Sequence, residues 1–336
     1  VHLLMGPWTH GAATPEEPFA GDVEFGDEAA LEFLTWHEGV FDQYLKGKPM
    51  PERPALRLFV MGGGSGEKSA SGRLVHGGYW RNESEWPLAR TQFTDFYLTA
   101  SGSLSLSPPE EADAFSEYRY DPDDPVPSIG GNVSSLSQLP RELKSRDLDD
   151  PAAHELVQIL TAGGFDQVEA PGVLGCEPPY LPLAGRQDVL VFETGALVEA
   201  MEVTGPVRVR LWVSTSAVDT DFTAKLIDVY PPNSSYPDGY RLNLTDSIQR
   251  LSFRSNNGKR ELVQPDEVIE VEFELYPTSN LFAAGHRIRL DISSSNFPRF
   301  DPHSNTADPR VKIVARNRVY HDSKRPSHLT LPLIPV

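Results

Sequence analysis

Residues 207–214 read VRVRLWVS, with Val207, Val209, Leu211 and Val213 on one side and Arg208, Arg210 and Trp212 on the other. A side-chain period of two belongs to an extended strand, and one charged face places that strand in an antiparallel sheet that is dry on one side only. VIEVEFEL (268–275) and HRIRLDIS (286–293) repeat the pattern. FTDFYLTA (93–100), DVLVFETGAL (188–197), TDFTAKLIDVYPP (220–232) and SHLTLPLIPV (327–336) supply further short strands with turn residues between them. Eight or more such segments predict a mainly β chain whose residues 91–336 form a jelly-roll β-sandwich with long decorations. The 30 prolines and 26 glycines suit the many turns this requires.

Residues 1–90 have a different texture. Val1–Met5 is an unbroken apolar run, which predicts a strand buried on both faces of a parallel sheet. It runs into GPWTHG and delivers His10 at the strand end. Asp27 is a candidate N-cap with Glu28 in the first turn. Ala30, Leu34, His37, Phe41, Tyr44 and Leu45 then recur at helical spacing, predicting an amphipathic helix of about five turns that stops at Lys46-Gly47. ALRLFVMG (55–62) returns as a strand, giving a βαβ pattern. The expected domains are therefore residues 1–90, of α/β type, and residues 91–336. Between Asn132 and Arg186 the strand pattern is weak, and DDPAAHELVQILTAGGF (149–165) predicts one short helix.

Charge and composition exclude several functions. A net charge of −18 repels phosphate backbones, so nucleic acid is not an expected partner. No apolar run is long enough to span a membrane. The single cysteine, Cys176, permits no internal disulfide and allows a reducing compartment, which slightly favours the cytoplasm without fixing the localisation. None of the nine histidines pairs with another at a zinc-ligand spacing, so neither a metal nor a cofactor is expected. DPDDP (121–125) lacks the spacing of a calcium loop and reads as an Asp-Pro turn. VDTDF (218–222) reads as a strand-end turn whose carboxylates accept backbone N–H groups, with a metal or acid–base site as the alternative. The glycine-rich Gly62–Gly72 fits no phosphate-binding spacing.

His10 stands apart, because ligands and catalytic groups collect on the loops that follow the strands of α/β sheets. The pattern alone leaves a turn histidine bonded to backbone equally open. GPWTHG, VFDQYLKG, RLFVMG and EWPLA, followed in order by YRYDPDDPVPSIGG, VTGPVRVRLWVSTSAVDTDFTAKLIDVYP, AGHRIRLDISSSNFPRFD and RPSHLTLPLI, resemble one family across nearly the whole chain. That family groups cocaine esterases, X-Pro dipeptidyl-peptidases, α-amino acid ester hydrolases and glutaryl acylases. The resemblance is poorest over Asn132–Arg186 and Gly63–Gly78, where this sequence is longer.

The resemblance implies that residues 1–90 are the last strands and helix of an α/β-hydrolase domain, and that residues 91–336 are the family's C-terminal jelly roll. It places His10 on the catalytic histidine of a Ser-His-Asp triad. It implies that PVPSIGGNV (125–133) reaches the active-site mouth, with Trp8, Ile129, Asn132 and Val133 as candidate substrate-binding residues. The substrate expected on that basis is a small ester, an amide or a short peptide. No serine in the chain sits in G-x-S-x-G, and the family's nucleophile and acid precede its histidine. The expectation is thus the C-terminal part of a serine hydrolase, inactive by itself. The alternative is a stand-alone β-sandwich that binds carbohydrate without catalysis, for which Trp212 on the polar strand face is the one hint. The sequence does not set the oligomeric state.

Overall fold

The computed structural model describes residues 2–10, 16–49, 54–132, 138–140, 156–255 and 257–335. The fold is a mainly β sandwich. One sheet contains β7 (Met201–Thr215) flanked by β10 (Ile269–Phe282) and β13 (His328–Ile334), with β4 (Gln92–Leu98) beyond β13. It also contains β12 (Ala315–Asp322), which joins β7 to β5 (Phe115–Tyr120). The facing sheet is ordered β6 (Leu190–Glu193), β11 (Arg287–Ser293), β8 (Asp221–Tyr230), β9 (Tyr240–Arg250). Pairing within the sandwich is antiparallel.

The alternation in the sequence becomes the core. Val207, Val209, Leu211 and Val213 are all buried and meet Phe222, Ala224 and Leu226 of β8 and Ile288, Leu290 and Ile292 of β11. On the opposite face Arg208 pairs with Glu274 at 3.0 Å and Arg210 with Glu272 at 2.6 Å, across the strand register. These exposed pairs fix partners more than they stabilise.

The βαβ unit is present. β1 (Leu3–Met5) pairs in parallel with β2 (Leu56–Gly62), and α1 (Phe33–Lys46) lies between them in sequence. Gly47 closes the helix in the left-handed conformation, φ 67°, as its position after Lys46 predicts. β2 continues outward to β3 (Gly78–Glu83) and joins β10 through Met61 and Gly62. The sheet of the first segment and a sheet of the sandwich are therefore one sheet, running through the boundary expected at residue 90.

Three expectations are corrected. β1 is half exposed rather than buried on both faces, because β2 is its one strand partner among the described residues. The helix does not begin at Asp27: residues Asp27–Ala29 form one 3-10 turn, and the α-helix starts at Phe33. The cause is competition for carbonyls. Trp80 Nε1 donates to Glu28 O at 2.6 Å and Trp8 Nε1 to Ala29 O at 3.2 Å, which takes the acceptors that the next helical turn would use. The helix expected over 149–165 is contradicted at Leu156–Gln158, a strand that pairs antiparallel with Gln138–Pro140; residues 141–155 lie outside the described set.

That excursion is pinched at its base. Gly131 N donates to Gly163 O at 2.9 Å and Gly163 N returns a bond to Gly131 O at 2.7 Å. Position 163 must be glycine, because φ is +104° and a Cβ would lie 2.3 Å from the backbone of Ala20 and Gly21.

Hydrogen exchange follows from these contacts. We expect β2, with Leu58 and Val60 fully buried and strands on both sides, to exchange as slowly as β7. We expect α1, which buries no residue fully and leaves Leu34, Phe41, Tyr44 and Leu45 exposed, to exchange far faster. Fast exchange at β2 would break the continuity of the sheet, and slow exchange at α1 would require a cover for its apolar side.

Candidate active site

β1 ends at Met5, and the chain turns through Gly6-Pro7-Trp8-Thr9 to His10. Gly6 is required there, since a Cβ would lie 2.4 Å from the Trp8 indole. Trp8 is pinned by its bond to Ala29 O and by the Trp80 ring, 5.8 Å away. His10 is exposed and its backbone N–H donates to Asn132 O at 3.2 Å. The loop after the parallel strand and the sandwich loop at 125–132 are thus joined by main-chain bonding.

A cavity of about 220 Å³ opens beneath this junction. Trp8, Thr9 and Asn132 stand at one side, Phe25, Phe59, Met61 and Leu242 supply apolar wall, and Lys225, Asn243, Asp246 and Arg299 supply a polar end. Of the residues named from sequence, Trp8 and Asn132 line the cavity and His10 adjoins it. Ile129 does not: it is buried with Val126, Cys176, Leu183 and Val189, and its carbonyl accepts from Gln167 Nε2 at 3.0 Å. Val133 lies outside the described residues.

Beneath the polar end is a charged layer that the sequence did not disclose. Arg299 Nη1 lies 2.7 Å from Asp246 Oδ1, and Arg299 Nη2 donates to Asn132 Oδ1 at 3.0 Å. Asn296 Nδ2 donates to Asp246 Oδ2 at 2.9 Å. Arg289 forks onto Asp291 with both contacts at 2.6 Å. Lys225 Nζ donates to Gln167 Oε1 at 2.6 Å, and burial pushes its pKa below the usual lysine value against the pull of Asp246 and Asp291. The signal was there in part: Lys225 is the charge in the otherwise uncharged stretch between Phe222 and Ile227.

A second buried network backs the apolar wall. His76, fully buried, bonds through Nδ1 to the Tyr230 hydroxyl and through Nε2 to Asn280 Oδ1 at 2.9 Å. Asn280 Nδ2 donates to Asp228 Oδ2 at 3.3 Å, and Asp228 Oδ1 meets His286 Nδ1 at 2.8 Å. Burial lowers the His76 pKa and raises that of Tyr230 well above the phenol range, so the phenol donates to a neutral imidazole. These residues come from three distant segments, and His76 sits in the longer Gly63–Gly78 stretch, where sequence showed a polar loop.

The other motifs resolve as structure. Asp219 Oδ1 accepts the N–H groups of Thr220 and Ser252 at 3.1 and 3.0 Å, while Oδ2 meets His303 and Arg260. Asp221 is held by a two-point bond from Arg250 at 2.8 and 2.9 Å. Asp121 Oδ1 caps the N–H of Asp123 at 3.1 Å. Among the described residues, no group of three His, Cys, Asp or Glu is placed to hold a metal ion, and no helix is long and apolar enough to cross a membrane. Trp212 is half-buried.

Comparison with known proteins agrees with this architecture. The profile of the X-Pro dipeptidyl-peptidase C-terminal non-catalytic domain matches residues 51–330. The chain is 35% identical to the cocaine esterase of Rhodococcus sp. (strain MB1 Bresler), over 99% of this chain and 51% of that enzyme. Among solved structures it superposes on an aminopeptidase from a marine-sediment Thaumarchaeota archaeon with a TM-score of 0.73 at 26% identity, over 100% of this chain and 50% of that one. An α-amino acid ester hydrolase gives 0.70 at 28% identity, over 99% of this chain and 50% of that one. The chain therefore spans about half the length of the relatives it matches. The chain belongs to the family of X-Pro dipeptidyl-peptidase C-terminal non-catalytic domains, the β-sandwich part of a family of esterases and peptidases.

Proposed function

We propose that this chain is the C-terminal part of a serine hydrolase that cleaves small esters, amides or short peptides, and that His10 is its proton-transfer residue. The observation that carries this is the placement of His10: exposed, on the loop after a parallel strand, backbone-bonded to Asn132, beside a cavity of about 220 Å³. The nucleophilic serine and the orienting aspartate come from outside these residues. The serine hydroxyl attacks the substrate carbonyl as His10 takes its proton. His10 then gives that proton to the leaving alcohol or amine, and water repeats the sequence on the acyl-enzyme. Trp8 and Asn132 line the pocket for the substrate body, and residues 1–90 complete the hydrolase domain against which residues 91–336 pack.

The test uses the polypeptide as its gene encodes it. We expect a fluorophosphonate probe to label one serine, mapped by mass spectrometry to a G-x-S-x-G outside residues 1–336, with loss of p-nitrophenyl ester turnover on labelling. Labelling of a serine within residues 1–336, or no labelling of an active preparation, overturns the proposal.

A further inference from the structure

His10 is exposed, so the position of its imidazole depends on how its main chain is held. On one side that chain is fixed at Trp8, whose indole donates to Ala29 O at 3.2 Å. On the other, the His10 N–H donates to Asn132 O at 3.2 Å. The second bond is only as steady as Asn132, which is itself exposed. Arg299 steadies it. Arg299 Nη2 donates to Asn132 Oδ1 at 3.0 Å, and the guanidinium packs so closely on the loop that a Cβ at Gly131 would lie 2.9 Å from Nη1.

Arg299 is anchored in turn. The side chains of Arg299 and Asp246 are each 9% exposed, and Nη1 lies 2.7 Å from Asp246 Oδ1. Asp246 belongs to β9, paired in register with β8, and Asn296 Nδ2 donates to its second oxygen at 2.9 Å. The Arg299 N–H donates to Ser128 Oγ at 3.3 Å, and that hydroxyl donates to Asn296 Oδ1 at 2.8 Å. A guanidinium is a rigid planar fork, and here it bridges a carboxylate of a sandwich strand and the residue that holds the His10 main chain. We propose that Arg299 is a positioning residue for His10, acting through Asn132, so that the sandwich sets the orientation of the proton-transfer group. This rests on His10 being the proton-transfer residue. What the bridge supplies is geometry, and a misplacement of about 1 Å in a reacting group costs on the order of 100-fold in rate.

Arg299→Lys separates orientation from charge. Lysine keeps a positive charge beside Asp246, which also faces Lys225 across the strand register, but a single ammonium lacks the fork that reaches both acceptors. In the longer active polypeptide we expect kcat for a p-nitrophenyl ester to fall about 10- to 100-fold, KM to change by less than about threefold, and the thermal midpoint to stay near wild type. Asn132→Ala removes Oδ1 and leaves the main-chain carbonyl. It should give the same fall in kcat, and the double variant should lose no more than either alone, because both cut one link. Arg250→Lys is the control: that fork grips Asp221 alone, at 2.8 and 2.9 Å, so kcat should stay in place.

Amide exchange in the chain of residues 1–336 reads the same link without turnover. We expect the His10 amide to exchange at least about tenfold faster in Arg299→Lys than in wild type, with β2 and β9 as protected as before. That protection also shows that the variant folds. Unchanged exchange at His10, additive losses in the double variant, or a loss confined to KM overturns the proposal. Normal kcat in Arg299→Lys beside an inactive His10→Ala overturns this proposal alone. Turnover in His10→Ala overturns it together with the role of His10.

Discussion

The purified chain should show no serine-hydrolase turnover of p-nitrophenyl esters. None of its serines lies in a nucleophile elbow, and the serine nearest the pattern, Ser65, is followed two residues later by Glu67 where a glycine is needed. Ser65 in the structure receives the backbone N–H of Glu67 at 3.3 Å, on an exposed loop. Loss of the nucleophile from a triad costs on the order of a millionfold in turnover, and what remains comes from binding and oxyanion stabilisation. The measurement is initial rate against enzyme concentration, with and without a fluorophosphonate. Probe-sensitive turnover at ordinary enzyme rates would mean that a serine among these residues is activated in a way the structure does not show.

His10→Ala, made in the longer active polypeptide, should lower kcat by at least about a thousandfold with the thermal midpoint nearly unchanged. Without a base the serine hydroxyl stays protonated, and the leaving group departs without its proton. The stability side follows from exposure: His10 sits on the surface, so its removal opens no cavity. His321→Ala is the control, since that imidazole is buried and bonds to Ser116 Oγ at 3.0 Å; it should lower the midpoint and leave kcat in place. The acylation burst reports the phase in which the imidazole acts first as base and then as acid, so His10→Ala should slow the burst along with the steady-state rate. Near-normal kcat in His10→Ala removes the residue from the mechanism.

Much of the sandwich was legible because a strand announces its own faces. The alternation at 207–214 put four side chains in the core, and all four are there. The parallel pairing of Leu3–Met5 with Leu56–Gly62 was legible from the βαβ order. Failures came where distant groups compete or cover. Helix spacing extended back to Asp27, but two indoles from residues 8 and 80 claimed the carbonyls of that turn. His37, expected on a buried stripe, is half-buried on a helix that buries no residue fully. Lys225 shows the same limit from the other side. Period two places it opposite Ala224 and Leu226, and hence on the wet face, but a single strand cannot report that Val126, Leu183 and Val189 lie across that face. The site divides likewise. His10 carried a positional signal of its own, whereas the His76 network depends on contacts spanning more than 200 positions, such as His76 to Asn280.

The reciprocal bonds between Gly131 and Gly163 have a consequence for how such a chain can change over time. The two glycines act as a drawstring: the chain departs from and returns to one point of the molecule. A change of chain length between them costs the pinch little, since each doubling of a loop adds only about 0.6 kcal/mol of closure entropy. In closure entropy, insertion and deletion between them are cheap, and Asn132 beside the knot lines the cavity. A lineage can therefore remodel the mouth of its pocket by lengthening or shortening this one excursion, while the strands that carry the polar end stay in register.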